Sequence, residues 1–530
     1  MSHRVLLAST FATEAVVPAL SYWLARHQLE VELDQAPYGQ VLEQVAAAGT
    51  ELVEGGADLG VLLIRLEDYL RDEGAALRLE TDALEAAQRH VEELASALSS
   101  HALAGRCPIL LGVMPASGGD GARQFTSRAR ELLAECAITY SGLSWLDVDG
   151  ALDLYSVREI GDPFRDEIAH IPFSEECLTA VATSIARQLR ALWGPPCKVI
   201  ALDCDNTLWR GACSEDPLEE LDASGPFEYL RSFMHRQASS GRLLCLVSRN
   251  PEHDVARAFS RYGSPLVAGD VITRRCGWDA KADSLRSIAA ELDLATDSFV
   301  FVDDDPLECA AVREQLPEVS VIEVPRDPDR IPGTLDHAWE LDVASVTEAD
   351  RIRRRTYAAN RQLRAERENS LDPEAFVEGL GVQVSVTPMR PDELDRAAQL
   401  LQRTNQFNTT GRRSTESELR DRLAAPGLSA WVARVKDRLG DYGLVGVLLG
   451  SVADGILRLD QVVLSCRVFQ RRVEQTMLKE LLAQLDPQPT RVTIAFRSTG
   501  RNTPVLIWLR ELGAGEVAEN GKGIRWIALP

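Results

Sequence analysis

Three apolar runs in the middle of the chain each end in a cluster of polar residues: "VIALDCD" (199–205), "LLCLVSRN" (243–250) and "SFVFVDDD" (298–305). Short apolar runs without polar alternation are the pattern of strands buried on both faces, as in a parallel sheet covered by helices. All three place their polar residues at the C-terminal end. They therefore predict one parallel sheet with a shared C-terminal edge, where open α/β sheets bind their ligands. Carboxylates at the mouth of a buried strand are costly unless a metal, a partner or a reaction compensates them.

With 530 residues the chain is too long for a single core, and its length predicts about three domains. Residues 1–195 alternate apolar runs ("HRVLLAST", "ADLGVLLIRL", "CPILLGVM") with amphipathic stretches such as "ALEAAQRHVEELASALSS". They predict an N-terminal α/β domain closed by the Pro/Gly punctuation "WGPPCK". Residues 196–335 predict a second α/β domain carrying the three strands above. Residues 336–369 predict a charged helical connector. Residues 370–530 predict an α+β domain with strands in "VQVSVTP", "LSAWVARVKD", "YGLVGVLLGSVADGILRLDQVVL" and "RVTIAFRS".

The net charge of −23 argues against general nucleic-acid binding, which needs basic surface. No apolar run approaches the roughly 20 residues of a membrane span, and the N-terminus lacks a signal-peptide pattern. Ten cysteines without a C-x-x-C pair fit a reducing cytoplasm, and disfavour structural zinc or a disulfide framework. A cytoplasmic protein without membrane or nucleic-acid partners is the expectation.

Asp203 and Asp205 alternate with Cys204, so in an extended segment the two carboxylates share a side and the thiol faces away. Two carboxylates in one pocket suit a nucleophile and a proton donor. Asp303 and Asp304 would hold a hard cation such as Mg²⁺ through oxygen. Ser248, or the backbone after it, would bind a phosphate oxygen. Lys281 would neutralise phosphate charge. Thr207, Arg249 and Asn250 are further candidates for substrate contact, and Arg210 for contact with a second phosphate. Asp205 and Ser248 lie about forty residues apart, and Ser248 and Lys281 about thirty. Neither gap holds a large inserted cap beside the βα units.

This ordered set resembles the haloacid dehalogenase (HAD) phosphatases, whose D-x-D-x-T motif is matched by Asp203, Asp205 and Thr207. The resemblance implies Asp203 as nucleophile and Asp205 as general acid/base. It also implies Mg²⁺ held by Asp203, the Asp205 carbonyl, and Asp303 or Asp304. "ALDCDNTLWRG", "LVSRN", "GWDAKADSLRSIAAELDL", "FVFVDDDPLE", "LLQRTNQFNTTGRR" and "LSCRVFQRRVE" further resemble the FkbH-like proteins of polyketide biosynthesis, over nearly the whole chain. That likeness implies a degenerate SGNH-like N-terminal domain, a capless HAD domain and a GNAT-like C-terminal domain. It implies loading of glyceryl from 1,3-bisphosphoglycerate, with release of phosphate, onto the phosphopantetheine thiol of an acyl carrier protein. The order of acyl and phosphoryl transfer stays open, and so does an alternative: a Mg²⁺-dependent phosphatase of a carrier-tethered or free phosphoester.

The chain departs from the family pattern in places. Gln470 and Arg472 stand where glycines commonly follow "SCRV", so Arg471 and Arg472 are read as possible phosphate partners through their guanidinium forks. Arg210, Ser214 and Pro217 alter the flap beside the site. A thioester-carrying cysteine is sought in Cys204, Cys466 and Cys213. Ser9 and His170 suggest a hydrolase pair in the N-terminal domain, without the elbow or D-x-x-H motif one needs. The basic run from Arg351 to Arg367, and Arg412 with Arg413, are candidate docking or anion-binding positions, or simply solvated ones.

Overall fold

In a computed structural model, the residues described are 3–37, 39–69, 81–116, 120–195, 197–267, 269–343, 357, 379–404, 406–424, 427–438, 440–469, 471–514 and 523–529. The chain divides into two compact units, Met1–Gly194 and Pro195–Pro530.

The first unit holds a five-stranded parallel sheet of order β2-β1-β3-β4-β5. Its strands are β1 (His3–Ser9), β2 (Val31–Gln35), β3 (Leu59–Ile64), β4 (Ile109–Val113) and β5 (Leu143–Leu146). β3 and β4 are buried at every residue, as their unbroken apolar runs require. The helix Thr81–Leu103 buries Ala87, Val91, Leu94 and Leu98 against Leu62, Ile64, Leu111 and Val113, at helical spacing. The helix Glu175–Trp193 is capped by Ser174, whose hydroxyl accepts from the Cys177 amide. It is joined to the helix Val16–Arg26 by the Trp23 indole N–H donating to Thr183 Oγ1 at 3.0 Å.

The second unit begins with another parallel sheet, of order β10-β9-β6-β7-β8. Its strands are β6 (Val199–Leu202), β7 (Leu243–Ser248), β8 (Val271–Cys276), β9 (Phe299–Asp303) and β10 (Ser320–Glu323). The three strands read from the sequence are its centre. Their side chains alternate between two cores, as a pleat demands. Ile200, Leu202, Leu244, Leu246, Val300 and Val302 pack with Phe227, Leu230 and Met234 of the helix Pro226–Ser239. Val199, Ala201, Leu243, Cys245, Phe299 and Phe301 pack with Leu285, Ile288 and Leu292 of the helix Lys281–Leu292. Between β6 and β7 stand only a short flap and one helix, and between β7 and Lys281 only one helix and β8. Among the described residues, no inserted domain stands at either place.

A six-stranded mixed sheet completes this unit, in the order β11-β12-β13-β14-β15-β16. Its strands are β11 (Gln383–Pro388), β12 (Ser429–Asp437), β13 (Gly440–Ala453), β14 (Ile456–Leu464), β15 (Arg491–Phe496) and β16 (Arg525–Leu529). Only β14 and β15 run parallel. The "VADGIL" stretch turns β13 into β14, with Asp454 and Gly455 both at positive φ (53° and 72°), the two-residue hairpin turn that favours Asp-Gly. The α/β, α/β, α+β layout expected from the sequence is therefore observed. Most of the stretch expected as a helical connector, including the run from Arg351 to Arg367, lies outside the described residues apart from Tyr357.

Candidate active site

The C-terminal ends of β6, β7 and β9 bring the predicted residues together. Asp203 follows β6 directly, and its amide donates to the Val302 carbonyl at 2.9 Å, fixing it to β9. Asn206 then takes positive φ (54°), turning the chain out of the strand direction. Lys281 opens its helix with only 4 % of its surface exposed. Its ammonium donates to Asp203 Oδ1 and to the Val247 carbonyl (2.7 Å), and lies 3.2 Å from Asp303 Oδ2. Burial alone would lower the Lys281 pKa. The Asp203 and Asp303 charges outweigh it and hold the ammonium above its ordinary value. Burial pushes the Asp203, Asp303 and Asp304 carboxyls up, that of Asp304 to about 6, with the Asp303 charge adding to the effect there.

Carboxylate oxygens of Asp203, Asp303 and Asp304 lie within 4.8 Å of one another. Three hard oxygen donors converging on one point suit a divalent cation such as Mg²⁺. The Asp205 carboxylate is not part of that group. Its Oδ1 accepts from the Trp209 indole N–H (2.9 Å) and the Cys213 amide (3.1 Å), and its Oδ2 from Asn250 Nδ2 (2.8 Å). The metal role expected of Asp205 is through its carbonyl and does not call on this carboxylate.

Ser248 ends β7, and its Oγ accepts from Asn250 Nδ2 at 3.0 Å. Asn250 also accepts from Ser214 Oγ at 2.6 Å. It thus ties the flap, Asp205 and Ser248 together. Replacing Asn250 with Ala removes all three of these bonds. The expected result is a drop in kcat of about 10- to 100-fold with little change in KM, by analogy with the loss of orienting partners at metal sites, measured by steady-state phosphate release.

Thr207 is fully buried, and its hydroxyl has no hydrogen-bond partner among the described residues. Arg249 turns aside to Glu308 at 2.7 Å, and Arg210 is exposed. Gly211 sits in the flap at φ +103°, where a Cβ would come within 2.8 Å of Leu221.

The cysteine candidates fare differently. Cys204 is fully buried among Ile200, Leu202 and Leu208, on the face opposite Asp203, and burial drives its thiol well above the ordinary range. Buried in this way, the thiol packs as a small apolar side chain. Cys213 is also raised by burial, and by Asp205 beside it. Cys466 lies in a short turn, Cys466–Val468, but its side chain is outside the described residues.

Other expectations need correction. Arg471 does not wait for a phosphate. Its side chain and that of Asp437 are both 0 % exposed and pair at 2.7 Å, and the Arg471 guanidinium also donates to Tyr442 Oη at 2.8 Å. Arg472 is exposed, at positive φ, just before the helix Val473–Gln484. Gln470 lies outside the described residues. Arg412 and Arg413 are exposed, whereas Asn408 between them and Arg403 is fully buried. Its side chain accepts from the Thr410 and Gly411 amides and from Gln461, which holds the turn at 408–411. In the first unit the Ser9 hydroxyl donates to the Phe11 carbonyl. The His170 ring contacts the Thr10 carbonyl at 3.1 Å and Asp68 at 3.4 Å, so Ser9 and His170 are engaged elsewhere.

Sequence reasoning missed Trp209. The signal was a Trp four residues after Asp205 in a tight turn, close enough for its N–H to reach back. No helix among the described residues is long and apolar enough to cross a membrane.

No protein-family model matches the chain, and no curated protein does. Among solved structures, the chain is similar to the N-terminal part of BF1531 from Bacteroides fragilis, which contains a phosphatase domain and was crystallised with Mg. The two are 22% identical with a TM-score of 0.55, over 65% of this chain and 95% of that one. Smaller matches are the ribosomal-protein-S18-alanine N-acetyltransferase of Escherichia coli (12% identity, TM-score 0.21, 28% of this chain and 90% of that one) and a catalytic mutant of the acetylxylan esterase Axe2 of Geobacillus stearothermophilus (12%, 0.28, 35% and 94%). The likeness to BF1531 shows the fold alone, α/β architecture with parallel sheets.

Proposed function

We propose that this chain is a Mg²⁺-dependent phosphatase of the HAD type that uses phosphoryl chemistry to load a glyceryl unit from 1,3-bisphosphoglycerate onto the phosphopantetheine thiol of an acyl carrier protein. The observation that carries the coarser part is the buried Asp203–Lys281–Asp303 cluster at the sheet edge, with Asp304 close enough to complete a cation site. The finer part is supported by the resemblance of the motifs to FkbH-like proteins, and by a sheet edge that, among the described residues, no inserted cap closes off from a carrier-tethered substrate.

In this reading Asp203 Oδ attacks the phosphorus of the 3-phosphoester, and the bond from that phosphorus to the C3 oxygen breaks, while the acyl phosphate at C1 is kept for the carrier thiol. Asp205 gives its proton to that oxygen. Water then attacks the aspartyl phosphate, Asp205 takes the water's proton, and phosphate leaves. Bound Mg²⁺ supplies charge neutralisation of the phosphoryl oxygens. Lys281 adds a fixed positive charge, and Ser248 and Thr207 offer hydroxyls to the same oxygens. Asp205 is oriented for this by Trp209, Cys213 and Asn250. Acyl transfer to the carrier thiol exchanges the acyl–oxygen bond for an acyl–sulfur bond, and the thiol proton leaves with the phosphate.

The test is phosphate release from 1,3-bisphosphoglycerate and from simple phosphoesters, with and without Mg²⁺. Release that requires Mg²⁺ supports the phosphatase chemistry, and no release from any phosphoester would rule it out. Asp304→Asn is expected to raise the Mg²⁺ concentration for half-maximal activity by about tenfold or more, because one of three carboxylate donors is lost. An unchanged Mg²⁺ requirement would remove Asp304 from the cation site.

A further inference from the structure

Arg249 holds a place at the sheet edge that the phosphoryl chemistry does not use. It directly follows β7, and its guanidinium pairs with Glu308 at 2.7 Å. Glu308 stands in the first turn of the helix Pro306–Gln315, which comes after β9. In the sheet, β6 runs between β9 and β7. Two strand spacings, roughly 10 Å, therefore separate the strands that carry the two residues. The ion pair bridges them past the C-terminal end of β6, where Asp203 stands.

The side of the sheet is also fixed. Val312 of the Glu308 helix packs into one core with Leu285 and Ile288 of the helix that Lys281 opens. The pair thus crosses the sheet edge on the side from which Lys281 reaches Asp203.

The two cations differ in how firmly they are committed. Lys281 is buried, and its three N–H donors meet Asp203, the Val247 carbonyl and Asp303. The side chain of Arg249 is 47 % exposed and is ion-paired with one carboxylate, Glu308. A pair open to water contributes little stability, so exchanging that carboxylate for another anion costs little. The guanidinium fork matches carboxylate and phosphate oxygens alike. Until a ligand arrives, Glu308 keeps the fork at the edge, which limits the side-chain ordering that binding must supply.

We infer that Arg249 is a specificity-determining residue: it leaves Glu308 to bind a second anionic group of the substrate, at the far end of a three-carbon phosphoester whose phosphate lies at Asp203. The inference rests on the phosphatase reading above, in which that second group is the acyl phosphate at C1. Glu308 competes with the substrate for the same guanidinium, so the two residues act in opposite directions.

The test compares 3-phosphoglycerate, which carries a carboxylate, with glycerol 3-phosphate, which carries none, on the full chain with Mg²⁺. Steady-state phosphate release gives kcat/KM for each, and the ratio of the two is the readout. Wild type should favour 3-phosphoglycerate. Arg249→Gln should cut the ratio by about tenfold or more, mainly through KM, because a charge-assisted partner is lost. Arg249→Lys, which keeps the charge without the fork, should fall between. Glu308→Gln should keep or raise the ratio, because the competing carboxylate is gone. A residue that only braced the edge would lower both rates together and leave the ratio alone. Thermal melting of each variant verifies folding. An unchanged ratio in Arg249→Gln, or a ratio lowered equally by Glu308→Gln, would overturn the assignment. Should neither compound release phosphate, the phosphatase reading falls, and calorimetric titration of the same compounds into the same proteins decides this one. A preference for 3-phosphoglycerate that vanishes in Arg249→Gln then supports it, and equal affinities overturn it.

Discussion

Asp203→Asn is expected to reduce Mg²⁺-dependent phosphate release by about 10⁴-fold or more, the scale seen when a nucleophile that acts as part of a unit is removed. The substitution is nearly isosteric, so Lys281 keeps a neighbour, and Asp303 still answers its charge at 3.2 Å. Folding should survive, and the loss should fall on kcat rather than on stability. The check is steady-state phosphate release beside a thermal melt. A variant that retains a tenth of wild-type turnover would show that phosphorus is not attacked by Asp203. Asp205→Asn should differ in kind. It keeps the nucleophile but loses the proton donor, so substrates with good leaving groups should suffer far less than alkyl phosphates.

The second large effect is on stability and arises in the C-terminal sheet. Arg471 and Asp437 form an ion pair with both side chains fully buried, and Tyr442 lies 4.8 Å from the guanidinium beneath it. Arg471→Met is expected to cost about 3–5 kcal/mol of stability, because it breaks a fully buried ion pair by removing one partner. The double variant Arg471→Met with Asp437→Leu should cost less than the single one, since both buried charges are removed together. Denaturant unfolding measures both. If Arg471 were instead a phosphate ligand, the single variant would unfold like wild type and only anion binding would change.

How much of this was legible in the sequence varies with position in the fold. β6, β7 and β9 are buried on both faces, so their apolar runs are continuous and readable. Edge strands are not: β8 reads "VITRRC", β10 "SVIE" and β16 "RWIAL", each part-polar because one side meets solvent. Asp203, Asp205, Ser248, Lys281, Asp303 and Asp304 could be named because each sits at a strand end or helix start with local context. Pleat alternation also turned Cys204 away from them. Long-range partners were out of reach. Nothing local reveals that Asp437 faces Arg471, that Asn250 bridges Ser248 to Asp205, or that Arg249 reaches Glu308 past β6. Those contacts depend on how the elements pack, and a buried arginine reads in sequence like a solvated one.

The central claim is tested most directly by intact-protein mass spectrometry of the full chain with Mg²⁺, 1,3-bisphosphoglycerate generated in situ, and a phosphopantetheinylated carrier protein, beside an Asp203→Asn control. The account predicts a glyceryl mass on the carrier that disappears in the control. Phosphate released while the carrier stays unmodified, or a carrier loaded equally well by Asp203→Asn, would contradict it.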